Sequence, residues 1–189
     1  MSIAVAVHKG QDLVIAADTQ DSFGSSRVSF ENYRSKKIVN IGDSYVATSG
    51  WGIYEDILND YLVTRENVSL TTKSQIFAFF MKFWKDLHEH YSFVKDQTDE
   101  DDASPFGELD SSFLIANHRG IFYVSSNMSI TKFEQYFAIG SGASFGLGTM
   151  YALYDLNYNA EQIARKAVEA AITFNVYCGG SIDLFRIES

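Results

Sequence analysis

Residues 2 to 18 constrain the chain more than any other stretch: an apolar hairpin that begins on a hydroxyl and ends on a carboxylate. Positions 2 to 7 alternate around small and β-branched side chains, Lys9-Gly10-Gln11-Asp12 has the composition of a turn, and Leu13 to Ala17 is an unbroken apolar run. The segment therefore reads as a buried β-hairpin that returns Asp18 toward Ser2. Ser2 also follows Met1 directly, and methionine ahead of a small residue is ordinarily removed. Once uncovered, Ser2 carries a nucleophilic oxygen and a free amine, so that one residue supplies both attacker and base.

A second hairpin is expected at Lys37 to Ile41 and Tyr45 to Thr48 around Gly42-Asp43, with the polar stretch 19–34 between the two hairpins and Ser49-Gly50-Trp51-Gly52 as a loop after them. A short helix is expected over 53–61. From Thr72 to about Tyr91, Ile76, Phe79, Phe80, Phe83 and Leu87 mark one helical face, while Phe77, Met81 and Trp84 mark another. That pattern predicts a helix covered on two sides, by neighbouring helices or by a partner subunit. An acidic run at 96–103 interrupts, Pro105-Phe106-Gly107 follows, and Asp110 opens the return to order. Strands are then expected at Ser112 to Ala116, Ile121 to Ser125 and Tyr136 to Ile139, helices at Ser144 to Leu156 and Ala160 to Phe174, and a last strand at Ile182 to Ile187. Strands, two helices, strands, two helices and a strand suit an α+β fold of four layers, an αββα sandwich, better than a doubly wound sheet.

At 189 residues the chain reads as one domain, 1–189, able to bury roughly 70% of the surface its unfolded form exposes. One cysteine excludes an intrachain disulfide framework and suggests a reducing compartment, so a cytoplasmic location is expected. No basic leader precedes an apolar core at the N-terminus, and no stretch reaches the roughly 18 apolar residues of a membrane span. A net charge of −9 argues against nucleic acid, which calls for a concentrated basic face. No cofactor is implied.

Several local patterns carry less than they suggest. Gly140-Ser141-Gly142-Ala143-Ser144-Phe145-Gly146 follows a strand and opens a helix, but its third glycine comes one position late for a dinucleotide loop. A tight helix entry is the better reading. His88-Glu89-His90 lacks the spacing of a helical zinc pair, and the acidic run lacks the turn glycine of a calcium loop, so no metal is expected. Cys178 has no histidine near it in sequence and reads as a small buried side chain.

A serine hydroxyl needs a base within hydrogen-bond reach, and an α-amine supplies one with an ordinary pKa of about 7.7 to 8.0. Lys37 could lower that value by like-charge repulsion, and Asp18 could pair with Lys37 and fix it. With these residues in place, the chain resembles the proteasome β-subunit and HslV peptidase family. The likeness rests on Ser2 to Asp18 with the following Thr19-Gln20, on Lys36-Lys37-Ile38, Ser49-Gly50-Trp51-Gly52 and Ala138-Ile139-Gly140-Ser141-Gly142, and on Cys178-Gly179-Gly180-Ser181-Ile182-Asp183-Leu184. It covers nearly the whole chain in order. The resemblance implies an N-terminal nucleophile hydrolase that cleaves peptide bonds inside an oligomer, a ring or related assembly of identical subunits, with an ATP-dependent unfoldase as its possible partner. Carried over, Ser2 stands at the family's threonine nucleophile, Asp18 at its aspartate, Lys37 at its lysine and Ser141 at its supporting serine. The Gly50 amide, or that of Trp51 one residue on, would face the oxyanion. Asn175 and Cys178 stand where active subunits commonly have an aspartate and a serine. That departure keeps open two alternatives: a catalytically silent structural subunit, and an amidohydrolase acting on a small amide.

Overall fold

The hairpin forms as β1 (Ala4–Lys9) and β2 (Asp12–Asp18), paired antiparallel from Ala4 opposite Ala17 to Lys9 opposite Asp12. Its side chains leave on two faces, and both faces are buried. Ile3, Val5, Val7, Val14 and Ala16 belong to one apolar cluster, while Ala4, Ala6, Leu13, Ile15 and Ala17 belong to another. A strand pair apolar on both sides is stable only between two other layers, and that requirement sets the architecture.

The computed structural model describes residues 2–23, 26–28, 31–63, 65, 67–91 and 109–187. Met1, the acidic run 96–103 and Pro105-Phe106-Gly107 lie outside them. After β2 come the short strands β3 (Ser22–Phe23) and β4 (Ser26–Arg27), then β5 (Ile38–Ile41), β6 (Ser44–Gly50), α1 (Gly52–Val63) and α2 (Lys73–His90). The second half runs β7 (Ser111–Asn117), β8 (Gly120–Val124), β9 (Ile130–Phe133), β10 (Tyr136–Ile139), α3 (Ala143–Leu153), α4 (Ala160–Phe174) and β11 (Ile182–Ile187). One sheet has the order β10-β1-β2-β11 and the other β5-β6-β7-β8-β9. Helices α3 and α4 cover the first sheet through Met150, Ile163, Ala164, Ala167, Val168 and Ala171. Helices α1 and α2 cover the second through Ile57, Leu58, Ile76, Phe80, Phe83 and Leu87. Between the sheets, Ala4, Ala6, Ile15 and Ala17 meet Ile38, Ala47, Leu114, Ala116 and Ile121. The order of layers is α, β, β, α.

Both long helices start on reciprocal caps. The Thr72 hydroxyl accepts from the Gln75 amide while the Gln75 side chain accepts from the Thr72 N–H, and Asn159 and Gln162 do the same at α4.

Some expected boundaries differ. Ser49 and Gly50 belong to β6 and not to a loop, because pairing with β7 continues through Ser49 opposite Ser112 and Gly50 opposite Ser111. Helix α3 ends three residues early, at Leu153, where the Lys9 ammonium gathers the Leu156 and Tyr158 carbonyls and holds the chain in a turn. Strand β9 escapes the pattern because Thr131 and Lys132 are both exposed and only Ile130 is buried. On α2 the Ile76-Phe80-Phe83-Leu87 face is fully buried, whereas Phe77 and Met81 of the second face are 51% and 43% exposed in the single chain.

Candidate active site

The site lies at the end of the sandwich where β1 begins, β2 ends and α3 starts. Asp18 is fully buried, and its carboxylate accepts three hydrogen bonds. Oδ1 takes the Ile3 N–H at 3.0 Å and the Lys37 ammonium at 2.7 Å; Oδ2 takes the Gly179 N–H at 2.9 Å. Lys37 is 6% exposed, so the pair is a buried ion bridge, which is sustained only when the remaining lone pairs are also satisfied. The two backbone donors do this. Through one carboxylate oxygen, Lys37 is tied to the residue immediately after Ser2.

Ser2 itself is 4% exposed and is gripped through its carbonyl. That oxygen accepts from the Gly142 N–H at 3.1 Å and lies 3.5 Å from the Ser141 hydroxyl. The grip depends on glycine at 140: its φ is +95°, and a Cβ there would stand 2.2 Å from the Ser2 carbonyl oxygen. Asn175 closes the far side, its amide donating to the Ser141 carbonyl at 2.7 Å and its own oxygen accepting from the Tyr177 N–H. Thr19 and Ser181 brace the neighbouring strand ends through paired hydroxyls 3.0 Å apart.

The Ser2 hydroxyl donates to the Ser49 hydroxyl at 3.3 Å. Ser49 thus joins the site, although the sequence pattern marks it only as part of a motif. Once β6 is seen to run through Gly50, alternation accounts for its position, since Tyr45 and Ala47 face the space between the sheets and Ser49 continues that face. Gly50, one residue on, closes β6 with φ +150°, where a Cβ would stand 2.2 Å from the Asp110 carbonyl oxygen. The Trp51 N–H is already engaged by that Asp110 carbonyl at 3.4 Å, which leaves Gly50 as the more available of the two amides.

Cys178 packs beneath the site. Burial, together with the negative charge of Asp18, pushes its thiol up to about 11, which keeps it protonated and non-nucleophilic near neutral pH. Glu55, in the first turn of α1, feels the Lys37 charge, but burial and the nearby Asp21 and Asp56 dominate and raise its carboxyl to about 7. Elsewhere, Asp86, Glu89 and His90 bring ligand-type atoms within 4.8 Å of one another at the end of α2, yet Asp86 is paired with Arg65 and Glu89 with Lys85. Among the described residues, no helix is long and apolar enough to cross a membrane.

Two sheets packed face to face between helical layers, with a buried carboxylate and lysine beside the first residues of the central hairpin, define an N-terminal nucleophile hydrolase. No protein-family model matches the chain. It is 28% identical over 196 aligned positions to the proteasome subunit beta of Nanoarchaeum equitans (strain Kin4-M), covering 99% of this chain and 93% of that protein. It is 29% identical to the ATP-dependent protease subunit HslV of Bartonella quintana (strain Toulouse), covering 98% and 86%. Among solved structures it superposes on Thiobacillus denitrificans BPH with a TM-score of 0.89 and 33% identity over 98% of this chain and 97% of that one. The same protein in complex with epoxomicin gives 0.88 and 32%, covering 98% of each chain. HslV from Trypanosoma brucei, 19% identical with a TM-score of 0.70 over 99% of each chain, shows the shared fold. The chain belongs to the proteasome β-subunit and HslV family of N-terminal nucleophile peptidases. Membership favours a peptidase over the silent-subunit and small-amide alternatives.

Proposed function

We propose that the chain, a single domain, hydrolyses peptide bonds with Ser2 after removal of Met1. The observation that carries this reading is the Asp18 carboxylate, which joins the Lys37 ammonium to the Ile3 amide beside the nucleophile. The freed amine of Ser2 takes the hydroxyl proton, directly or through water, and Oγ attacks the scissile carbonyl to give a tetrahedral oxyanion. The Gly50 amide faces that oxyanion, and the loss of one such donor typically costs about 3 to 4 kcal/mol of transition-state stabilisation. Collapse breaks the C–N bond, the ammonium returns its proton to the leaving amine, and an acyl ester on Ser2 remains. Water, deprotonated by the same amine, hydrolyses that ester.

Lys37 lowers the proton affinity of the amine by like charge and steadies the hydroxyl, while Ser141, Gly142 and Asn175 fix the Ser2 backbone. Asn175 brings a hydrogen bond without the charge of a carboxylate, and Cys178 fills space beneath it. In this proposal the subunits form a homo-oligomeric ring or related assembly in the cytoplasm that encloses the sites, admits protein or peptide substrates, and is served by an ATP-dependent unfoldase. The exposed Phe77 and Met81 face of α2 suits a neighbour in such an assembly.

The reading is tested with intact mass, a fluorogenic peptide and an epoxyketone inhibitor, whose warhead requires both a hydroxyl and a free amine. Active material is expected to lack Met1 and to gain one inhibitor mass, and Ser2→Ala is expected to lose both turnover and adduct. Retained Met1 in active enzyme, or full turnover in Ser2→Ala, would refute it.

A further inference from the structure

At the opposite end of the sandwich from Ser2, the turns of the two sheets enclose a cavity of about 110 Å³ whose lining, part of it apolar, includes His8, His118, Arg119, Gly120, Lys132 and Glu134. Strand β1 runs the whole way between the two places, so the cavity lies about 20 Å from the nucleophile. Four cationic or protonatable side chains converge here from three places: β1, the β7–β8 turn and β9. In a chain of net charge −9 that concentration is unusual.

The groups are not neutralising one another. His118 and the Arg119 guanidinium have no hydrogen-bond or ion-pair partner among the described residues, and the Arg119 backbone is fixed by its N–H to the Asn117 side chain at 2.8 Å. His8 donates from Nδ1 to the Glu134 carbonyl at 3.2 Å, which leaves Nε2 for the cavity. Among the described lining residues the one carboxylate, that of Glu134, is 79% exposed and stands 3.4 Å from Lys132, so it offsets one charge from the solvent side. Gly120 leaves the floor open: a Cβ there would come within 3.0 Å of the Lys132 Cε.

We propose that this cavity binds a small tetrahedral oxyanion of the phosphate class, with the Arg119 fork and the Lys132 ammonium as its principal donors and the two imidazoles closing around it. A planar guanidinium matches two phosphate oxygens at once, and donors arriving from two strands and a turn suit the remaining ones. The site is separate from the peptidase centre and does not depend on how that centre works.

Thermal unfolding and isothermal titration of the assembled protein, with inorganic phosphate and with phosphoserine against sodium chloride of matched ionic strength, test the assignment. At ten times its dissociation constant, phosphate is expected to raise the unfolding midpoint by about 3–5 °C. Arg119→Gln and Lys132→Gln should each weaken binding about tenfold or more while leaving the anion-free midpoint and peptide turnover unchanged. Binding of phosphoserine as well as phosphate would identify the ligand as a phosphate monoester, and binding of phosphate alone would identify it as the free anion. No shift beyond that of matched chloride, or an undiminished shift in both variants, overturns the proposal.

Discussion

The two helix-on-sheet interfaces are built from different materials. Under α1 and α2 the core is aromatic: Phe80 packs against Phe113 with ring centroids 4.6 Å apart and the rings tilted by 47°, Tyr61 meets Phe83 edge-on at 5.2 Å, and Tyr54 and Phe122 complete the layer. Under α3 and α4 it is made of Ala160, Ala164, Ala167 and Ala171 with Ile163 and Val168, and among the described residues no aromatic side chain is fully buried there. Large rings hold a helix away from its sheet and give each contact a large area; alanine and glycine let the backbones approach and give little slack. Clearance around Gly142 shows the second case, since a Cβ added there would lie 2.8 Å from both the Ala171 Cβ and the Cys178 Sγ. The backbone that grips Ser2 belongs to the close-packed half. The aromatic half contributes Lys37 and Ser49 from the strands it supports, and the site is the seam between them.

The largest effect should come from cutting the seam. Lys37→Ala removes the cross-sheet ion pair and is expected to lower turnover about 10²–10⁴-fold, with a stability loss toward the low end of the about 3–5 kcal/mol that breaking a buried pair costs, because Asp18 keeps two backbone donors. Urea unfolding and initial rates on one preparation measure both; turnover within threefold of the parent would remove the lysine from the chemistry. The two halves are then separated by Phe80→Ala and Gly142→Ala. The first opens a cavity and should cost about 3–5 kcal/mol while sparing the rate per folded molecule. The second overpacks by one methyl and should cost only about 1–3 kcal/mol, yet it displaces the amide that holds the Ser2 carbonyl and should reduce turnover out of proportion. Equal rate losses in the two variants would erase the distinction between the halves.

The same contrast explains what could be read in advance. The order of layers was legible because β1 and β2 are apolar on both faces and α2 and α4 carry long, capped, periodic patterns. Asp18 was legible because it ends a strand at a spacing that the first hairpin fixes, and Lys37 because it stands at the start of the second hairpin. Ser49 was not, because whether a Ser-Gly pair ends a strand or starts a loop depends on a partner strand, β7, more than sixty residues away. Strand β9 was missed for a related reason: an edge strand with exposed Thr131 and Lys132 has no alternation to reveal it. The Gly142 and Gly179 amides are backbone groups, and side-chain identity says nothing about where they point.

The smallest predicted effect concerns a carboxyl at the seam that is badly placed as an anion. Glu55 sits near Asp21 and Asp56, and burial with those charges raises its carboxyl from 4.5 to about 7 in the folded chain. A carboxyl raised on folding binds its proton more tightly folded than unfolded, so its ionisation destabilises the fold. Above about pH 7 it is ionised in both states and the penalty is complete; as the pH falls through 7 toward 4.5 the folded form takes up the proton first and the penalty disappears. Glu55→Gln should therefore be more stable than the parent at pH 8, with the two converging by about pH 5. Partial exposure of the group keeps the difference small, so the comparison calls for paired urea titrations at each pH. A stability gap that grows on acidification would reverse the sign and place Glu55 in partnership with Lys37, making it a third strut across the seam instead of a source of repulsion beside it.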